Sequence, residues 1–313
     1  MKYRHYLNTT PEVSEIGLGA WQLGAGTDWQ GMTDREAADL VHEALYAGVN
    51  FFDTAPNYGN GSSELRLGKA LRGTDRSRIV INTKFGHTVT GDTDFSADHI
   101  IESLEGSLAR LQTDYVDSLI IHNPPMACLD GNHNPHYEIL ERLKERGRIK
   151  AYGASLDTCD EMQLFMDTTG GEVIEAFFNI LHQDAARAFG QAKAKGVSII
   201  AKIPLDSGWL TGKYHADSTF DDIRSRWTPT DIRTRADLVA RLKALLPEGS
   251  DLAHTAISFC LAYDAVSTVI PGSKDVAQLK ANLASTSQRV TKELVARLEA
   301  FYREEVAQLG LPW

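Results

Sequence analysis

Short apolar runs alternate with longer stretches of helical periodicity along almost the whole chain. The runs at residues 16–21, 50–53, 79–84, 116–122, 149–155, 173–179, 198–203 and 266–270 read as eight β-strands. Between them Ile100, Ile101, Leu104, Leu108 and Leu111 recur at helical spacing, with Ser103, Glu105 and Arg110 on the other side. Glycine closes several such stretches, as in Tyr46-Ala47-Gly48, Glu145-Arg146-Gly147 and Lys195-Gly196. A glycine takes the left-handed conformation that ends a helix and turns the chain back into a strand. Asp34, Glu36 and Glu64 sit where helices open, at the positive end of the dipole.

Eight strands alternating with helices fit either a closed barrel or an open doubly wound sheet. The open sheet would carry GxGxxG after its first strand. Here Gly17-Leu18-Gly19-Ala20-Trp21-Gln22 breaks that pattern at the third glycine, so the α/β expectation is a (β/α)8 TIM barrel. Residues 1–15 read as a short hairpin capping the barrel floor. Residues 206–250 read as a long insertion after the seventh strand, with a helix near 235–246, and residues 291–313 as an extra helix and tail. Connections of that length are more often functional than accidental. No linker or low-complexity segment divides the chain, which predicts one domain over residues 1–313.

The 313 residues are 42% hydrophobic and 24% charged, an ordinary globular balance with no apolar run long enough for a bilayer. A formal net charge of −10 argues against a nucleic-acid surface and makes any anionic cofactor depend on local positive charge. Cys128, Cys159 and Cys260 are widely spaced and form no CxxC pair. With an N-terminus lacking the apolar core of a signal peptide, the expectation is a cytoplasmic protein without disulfides or membrane contact.

Four residues follow predicted strands in order: Asp53, Tyr58, Lys84 and His122. Strand C-termini converge on one face of a parallel barrel, so these side chains can meet there. Tyr58 lies in the constrained turn Pro56-Asn57-Tyr58-Gly59. A phenol donates poorly at neutral pH unless a cation favours phenolate, a role open to Lys84 with Asp53 as its partner. A neutral His122 can hydrogen-bond and orient a carbonyl oxygen. Each of these residues alone would be unremarkable; the four together suggest proton-coupled carbonyl chemistry.

Other chemistries fit less well. Asp130, His133 and His136 lie close in sequence, but Gly131 and Pro135 make a loop without a rigid scaffold for ligands, and no metal site is expected. Gly153-Ala154-Ser155-Leu156-Asp157 fails as a serine-nucleophile motif, and nothing matches a P-loop. Ile270-Pro271-Gly272-Ser273-Lys274-Asp275 runs into a helix near Val276, a combination open to an anion or to an ordinary cap. Trp21, Trp29, Trp209, Trp227 and Trp313 all fall outside helical patterns, which suggests aromatics clustered at a binding mouth.

Taken together, several segments make the chain resemble the aldo-keto reductase superfamily. They are Gly17 to Gly24, Phe52-Asp53-Thr54-Ala55-Pro56-Asn57-Tyr58-Gly59, Ser63-Glu64-Leu65-Arg66-Leu67-Gly68 and Lys84. The match continues through Asp114 to His122, Gly147 to Ser155, Pro204-Leu205 to Tyr214, and Ile270 to Lys274. The resemblance implies a metal-free (β/α)8 barrel using a nicotinamide cofactor, usually NADPH with NADH possible. It implies a tetrad of Asp53, Tyr58, Lys84 and His122, with Tyr58 as the acid–base residue. The cofactor contacts it implies are Ala20, Trp21, Asp53, Ser155, Glu175, Lys202, Pro204, Leu205, Gly208, Leu210, Gly272, Ser273, Lys274, Gln278 and Asn282.

The chain departs from the family pattern at four positions. Ser155-Leu156 stands where the family commonly has Ser-Asn, Glu175 where it has Gln, and Lys202 where a Tyr often underlies the nicotinamide. Gln278 stands where many members place an Arg. The expectation is that Glu175 accepts from the carboxamide, that Lys202 pairs with Glu175, and that Ser273 and Lys274 hold the adenosine phosphate. The function this implies is reduction of an aldehyde, ketone or sugar carbonyl, or the reverse oxidation. The rival reading is a cofactor-binding regulatory or redox-sensing subunit with little turnover.

Overall fold

Strict alternation of inward and outward side chains along parallel strands determines which residues this protein points at its own axis. The computed structural model describes residues 1–313 except Ala25, Thr27, Gln30, Gln288 and Trp313. A hairpin of β1 (Tyr3–Arg4) and β2 (Val13–Ser14) pairs antiparallel. Eight parallel strands follow: β3 (Leu18–Gly19), β4 (Phe51–Asp53), β5 (Val80–Phe85), β6 (Val116–Ile121), β7 (Ile149–Leu156), β8 (Val173–Phe177), β9 (Ser198–Lys202) and β10 (Val266–Val269). They pair in chain order from β3 to β10. Bridges Ile16 to Val269 and Gly19 to Gly272 close the circle. At that seam a Cβ on Gly19 would lie 2.9 Å from the Ile270 carbonyl oxygen, so only glycine admits the approach.

The closing seam also explains a difference from the sequence pattern, which extends the first strand to residue 21. The chain instead leaves the sheet at Ala20, and Trp21 sits in a short 3-10 turn, Ala20–Leu23. The outer layer comprises α1 (Asp34–Tyr46), α2 (Ser62–Ala70), α3 (Ala97–Leu111), α4 (His136–Glu145), α5 (Cys159–Thr168), α6 (Phe189–Lys195), α7 (Pro229–Leu245), α8 (Leu252–Cys260), α9 (Val276–Ala284) and α10 (Lys292–Phe301). Thr33 and Thr158 close capping boxes with Glu36 and Glu161, which fix where α1 and α5 begin. Helix α7 starts six residues before the predicted one, because Thr228 caps it through Asp231 and Pro229 occupies its first turn.

Phe51, Val80, Ile120, Ala151, Val173, Ile200 and Ile270 fill the barrel interior, and Tyr6, Leu7 and Val13 from the hairpin region plug its floor. Their sequence neighbours, such as Phe52, Ile81, Leu119 and Ile174, face outward and pack with the helices. Counting by twos from the inner layer places Asp53 above Phe51 and Asn82 then Lys84 above Val80. It likewise places His122 above Ile120, Ser155 above Ala151, Glu175 above Val173 and Lys202 above Ile200. All seven lie in the C-terminal half of the barrel, toward its mouth.

The three cysteines are buried and unpaired. Among the described residues no helix is long and apolar enough to cross a membrane.

Candidate active site

Lys84, wholly buried, is the centre of the mouth. Its Nζ donates to both oxygens of Asp53 at 2.8 Å and to the Thr54 carbonyl at 3.1 Å, and lies 3.2 Å from Glu175 Oε2. Burial alone would draw the lysine down, but the Asp53 and Glu175 charges outweigh it and hold the ammonium firmly protonated. Burial and the nearby Glu175 push Asp53 up to about 8, against the pull of Lys84. A polar chain supports this group from the barrel floor. Ser118 donates to Asn82 Oδ1 at 2.5 Å, and Asn82 donates to Asp53 Oδ2 at 2.6 Å. Since the single Ser118 proton is committed to Asn82, the Tyr6 hydroxyl must donate to Ser118 across their 2.8 Å contact.

Tyr58 is held by its turn, where its amide donates to Ala55 and its carbonyl accepts from Ser63. The phenol is nearly buried, with Lys84 Nζ 5.1 Å from its ring centroid. Trp21 stacks on one side of the ring at 5.6 Å and 24°, and His122 meets it edge-on at 5.8 Å. The sequence-based expectation was that Lys84 would depress the phenol. The phenol is instead raised above its ordinary value. Burial is the largest cause; Lys84 pulls the other way, and Asp53 and Glu175 add to the rise. Tyr58 therefore stands as a protonated donor. Burial, with Lys84, His87 and Lys202 nearby, holds the His122 imidazole well below its usual range and hence neutral. Its Nδ1 is buried without a partner.

A cavity of about 670 Å³ opens over these groups, within the range of small-molecule sites. Of the expected cofactor contacts, Trp21, Asp53, Glu175, Lys202, Pro204, Leu205, Gly208, Gly272, Lys274 and Gln278 line it. Ala20, Ser155, Leu210, Ser273 and Asn282 are not among the residues that line it. Ser273 is buried and its hydroxyl accepts from Asn282 at 3.1 Å, so it does not face an incoming phosphate. At the start of α9, Asp275 caps Gln278 N–H and the Gln278 side chain accepts from Lys274 N–H. The Lys274 side chain is left exposed. This donor set suits a nucleotide cofactor whose charged end meets one lysine.

The expected pairing of Lys202 with Glu175 does not occur. Lys202 Nζ contacts Asp157 at 2.8 Å, Asn123 Oδ1 at 2.7 Å and Ser155 at 2.9 Å, while Glu175 turns to Lys84. Height along the barrel accounts for it, Lys202 sitting two residues further toward the mouth than the level of Glu175. Both residues face inward, but Asp157 follows β7 at a height the long lysine stem reaches, and Glu175 sits level with Asp53 and Lys84.

The tryptophans divide between two places. Trp29 packs edge-on against Trp21 at 5.3 Å, and both line the cavity. Trp209 and Trp227 are buried in an aromatic cluster with Tyr214 and Phe220 inside the insertion; Tyr214 lines the cavity, but the two tryptophans do not. Trp313 lies outside the described residues. Among the described residues no group of three metal-ligating side chains exists, and His136 bonds the Phe95 carbonyl.

Asn57, His87, Lys213 and Arg224 also line the cavity and were not singled out from sequence. His87 lies 4.7 Å from the His122 ring, placed there by an isolated bridge to Thr93 in the loop after β5. Asp28 joins the two sides of the mouth, accepting from the Trp21 indole at 2.8 Å and from the Ile223 amide at 3.0 Å.

A model of the aldo/keto reductase family matches residues 15–303. L-Galactose dehydrogenase of Arabidopsis thaliana is 29% identical, aligned over 97% of this chain and 95% of its own length. A probable voltage-gated potassium channel subunit beta of Oryza sativa is 30% identical, over 96% of each chain. The holo form of an aldo-keto reductase from Bacillus halodurans superposes with a TM-score of 0.80 at 28% identity, covering 95% of both chains.

Proposed function

The chain belongs to the aldo/keto reductase family, and on that premise we propose that it reduces a small carbonyl compound with Tyr58 as the proton donor. The observation that supports this reading is the meeting of Asp53, Tyr58, Lys84 and His122 at one end of the cavity. A reduced nicotinamide, when bound, supplies the hydride that the carbonyl carbon accepts. The carbonyl π pair moves to oxygen, which takes the Tyr58 proton. The neutral His122 offers the oxygen a hydrogen bond, and Lys84 offsets the charge left on the phenolate. Asp53 keeps Lys84 in place. The deciding experiment follows loss of reduced-nicotinamide absorbance with a panel of aldehydes, ketones and sugars. Steady turnover with any of them supports the reading, and its absence across the panel counts against it.

We assign NADPH as the preferred nucleotide, with NADH possible. Lys274 is the exposed cation at the α9 end of the cavity, and it lacks the bidentate fork of an arginine. One charge-assisted contact implies a preference of roughly 10–100-fold. Lys274→Met should weaken NADPH binding by about that factor and leave NADH binding nearly unchanged. Dissociation constants for both cofactors in both proteins check it; equal loss for the two nucleotides would remove Lys274 from 2′-phosphate recognition. Free buried cysteines fit a reducing cytoplasm.

The likeness to a potassium channel subunit motivates a second reading, a cofactor-binding regulatory subunit with little turnover. Tight cofactor binding with no carbonyl reduced would favour it. The complete set of four residues favours the enzyme.

A further inference from the structure

Two acids surround the buried lysine. Lys84 Nζ lies 2.8 Å from each Asp53 oxygen and 3.2 Å from Glu175 Oε2. The Asn82 amide spans the same two acids, 2.6 Å from Asp53 Oδ2 and 3.4 Å from Glu175 Oε2. Asp53 Oδ2 and Glu175 Oε2 thus crowd onto the same two donors, the Lys84 ammonium and the Asn82 amide. Two ionised carboxylates have only acceptors to offer each other, so a proton on one of them relieves that crowding. Side-chain exposure is 0% for Lys84 and 3% for each acid, so water does not screen a surplus negative charge there. The rise of Asp53 to about 8, caused first by burial and then by the charge of Glu175, agrees with this geometry.

We propose that Asp53 and Glu175 share one proton at neutral pH, which makes Glu175 a positioning residue governing how much positive charge Lys84 presents to Tyr58. The shared proton stands on two buried acids crowding one ammonium and one amide; its effect on turnover rests on Tyr58 as the proton donor. With the proton in place, one negative charge balances the lysine. When the proton leaves, a second negative charge lies within about 3 Å of Nζ and opposes the phenolate that forms as Tyr58 protonates the substrate. Reduction therefore weakens as pH rises through the pair's titration. The other groups facing the pair keep their charge across that range. Burial holds the Tyr6 and Tyr58 phenols protonated and His122 neutral, and Lys202 is engaged by Asp157.

The test uses the thermal midpoint of the full chain from about pH 5 to 9, in wild type, Glu175→Gln and Asp53→Asn. An unfolded Asp53 releases its proton near 3.8, whereas the folded Asp53 keeps it until about 8. The folded state thus binds more protons across that window, and wild-type stability erodes as pH rises through it. Either isosteric variant removes one acid and with it the erosion. The midpoint of each variant relative to wild type should climb by a few degrees between about pH 5 and 8, then level off. In parallel, the alkaline fall of kcat/KM in wild type should move up by about one unit or more in Glu175→Gln, while Glu175→Asp keeps it. A midpoint difference independent of pH in both variants would overturn the proposal. A climbing difference without turnover on any carbonyl would uphold the shared proton and sink only the reductase reading.

Discussion

Tyr58→Phe should lower kcat for carbonyl reduction by about 10²–10⁴, the usual worth of a positioned acid, while thermal stability and cofactor affinity stay near wild type. The reasoning starts from what the substitution leaves intact. The phenyl ring keeps the stack on Trp21 and the edge contact with His122, which together fix the ring's place in the mouth. Only the hydroxyl goes. It is the protonated group closest in role to Lys84, whose ammonium lies 5.1 Å from the ring centre and is locked on Asp53. His122 cannot take over, because burial and three neighbouring cationic or imidazole side chains keep it neutral, with no proton to spare near pH 7. A loss of 10²–10⁴ corresponds to about 3–5 kcal/mol of transition-state stabilisation. The measurement is single-turnover reduction under saturating cofactor, which separates chemistry from product release. Retention of most of the rate would move the proton donor elsewhere in the cavity.

The parts of this site that were legible in the sequence are those fixed by the strand period. Once Phe51, Val80, Ile120, Val173 and Ile200 are read as inner-layer residues, the polar residues two or four positions further on must face the same axis. A polar side chain ending an apolar strand is therefore visible without coordinates. The barrel was legible for the same reason, since eight short apolar runs alternating with helical repeats leave few topologies. What the period cannot give is the partner of a long side chain. Lys202 and Glu175 both point inward, yet their separation in height, the reach of the lysine stem and the rival Asp157 decide the pairing. Loop residues were less legible still. His87, Asn57 and Arg224 reach the cavity through turns whose geometry depends on distant contacts, such as the Ile223 amide bonding Asp28 across the mouth. The sense of the Tyr58 shift was also hidden. It comes first from burial, with Asp53 and Glu175 adding to it against Lys84, and neither the burial nor the second acid is visible until the strands are placed side by side.

Arg235→Ala should destabilise the protein by about 3–5 kcal/mol, read as a lower urea midpoint at unchanged slope. Arg235 is completely buried on α7, where its Nε donates to Asp206 Oδ2 at 3.2 Å and its Nη2 to the Pro312 carbonyl. Its guanidinium also lies 4.5 Å from the centre of the Trp227 ring. Asp206 is equally buried and follows β9 in a left-handed conformation, φ 46°, with His182 3.3 Å from its other oxygen. Burial alone would raise Asp206, but His182 and Arg235 outweigh it and hold the carboxyl below its ordinary value. Removing the guanidinium leaves that charge buried beside the imidazole alone, opens a cavity under Trp227 and frees the C-terminal tail. The sign of the pH dependence follows from the depressed carboxyl. Its stabilising contribution is complete above the unfolded value of 3.8 and fades as pH falls through the lower folded value. The gap between wild type and Arg235→Ala should therefore be widest near neutrality and shrink in acid. Pairing Arg235→Met with Asp206→Asn should recover much of the loss, because the neutral amide leaves no stranded charge and tolerates the left-handed backbone. The consequence reaches the site, since α7 anchors the segment whose Leu205, Gly208, Tyr214 and Arg224 form one wall of the cavity. Cofactor affinity should fall with stability in Arg235→Ala and return in the double variant. An unchanged urea midpoint in Arg235→Ala would mean that aromatic packing, not this ion pair, ties the insertion to the barrel.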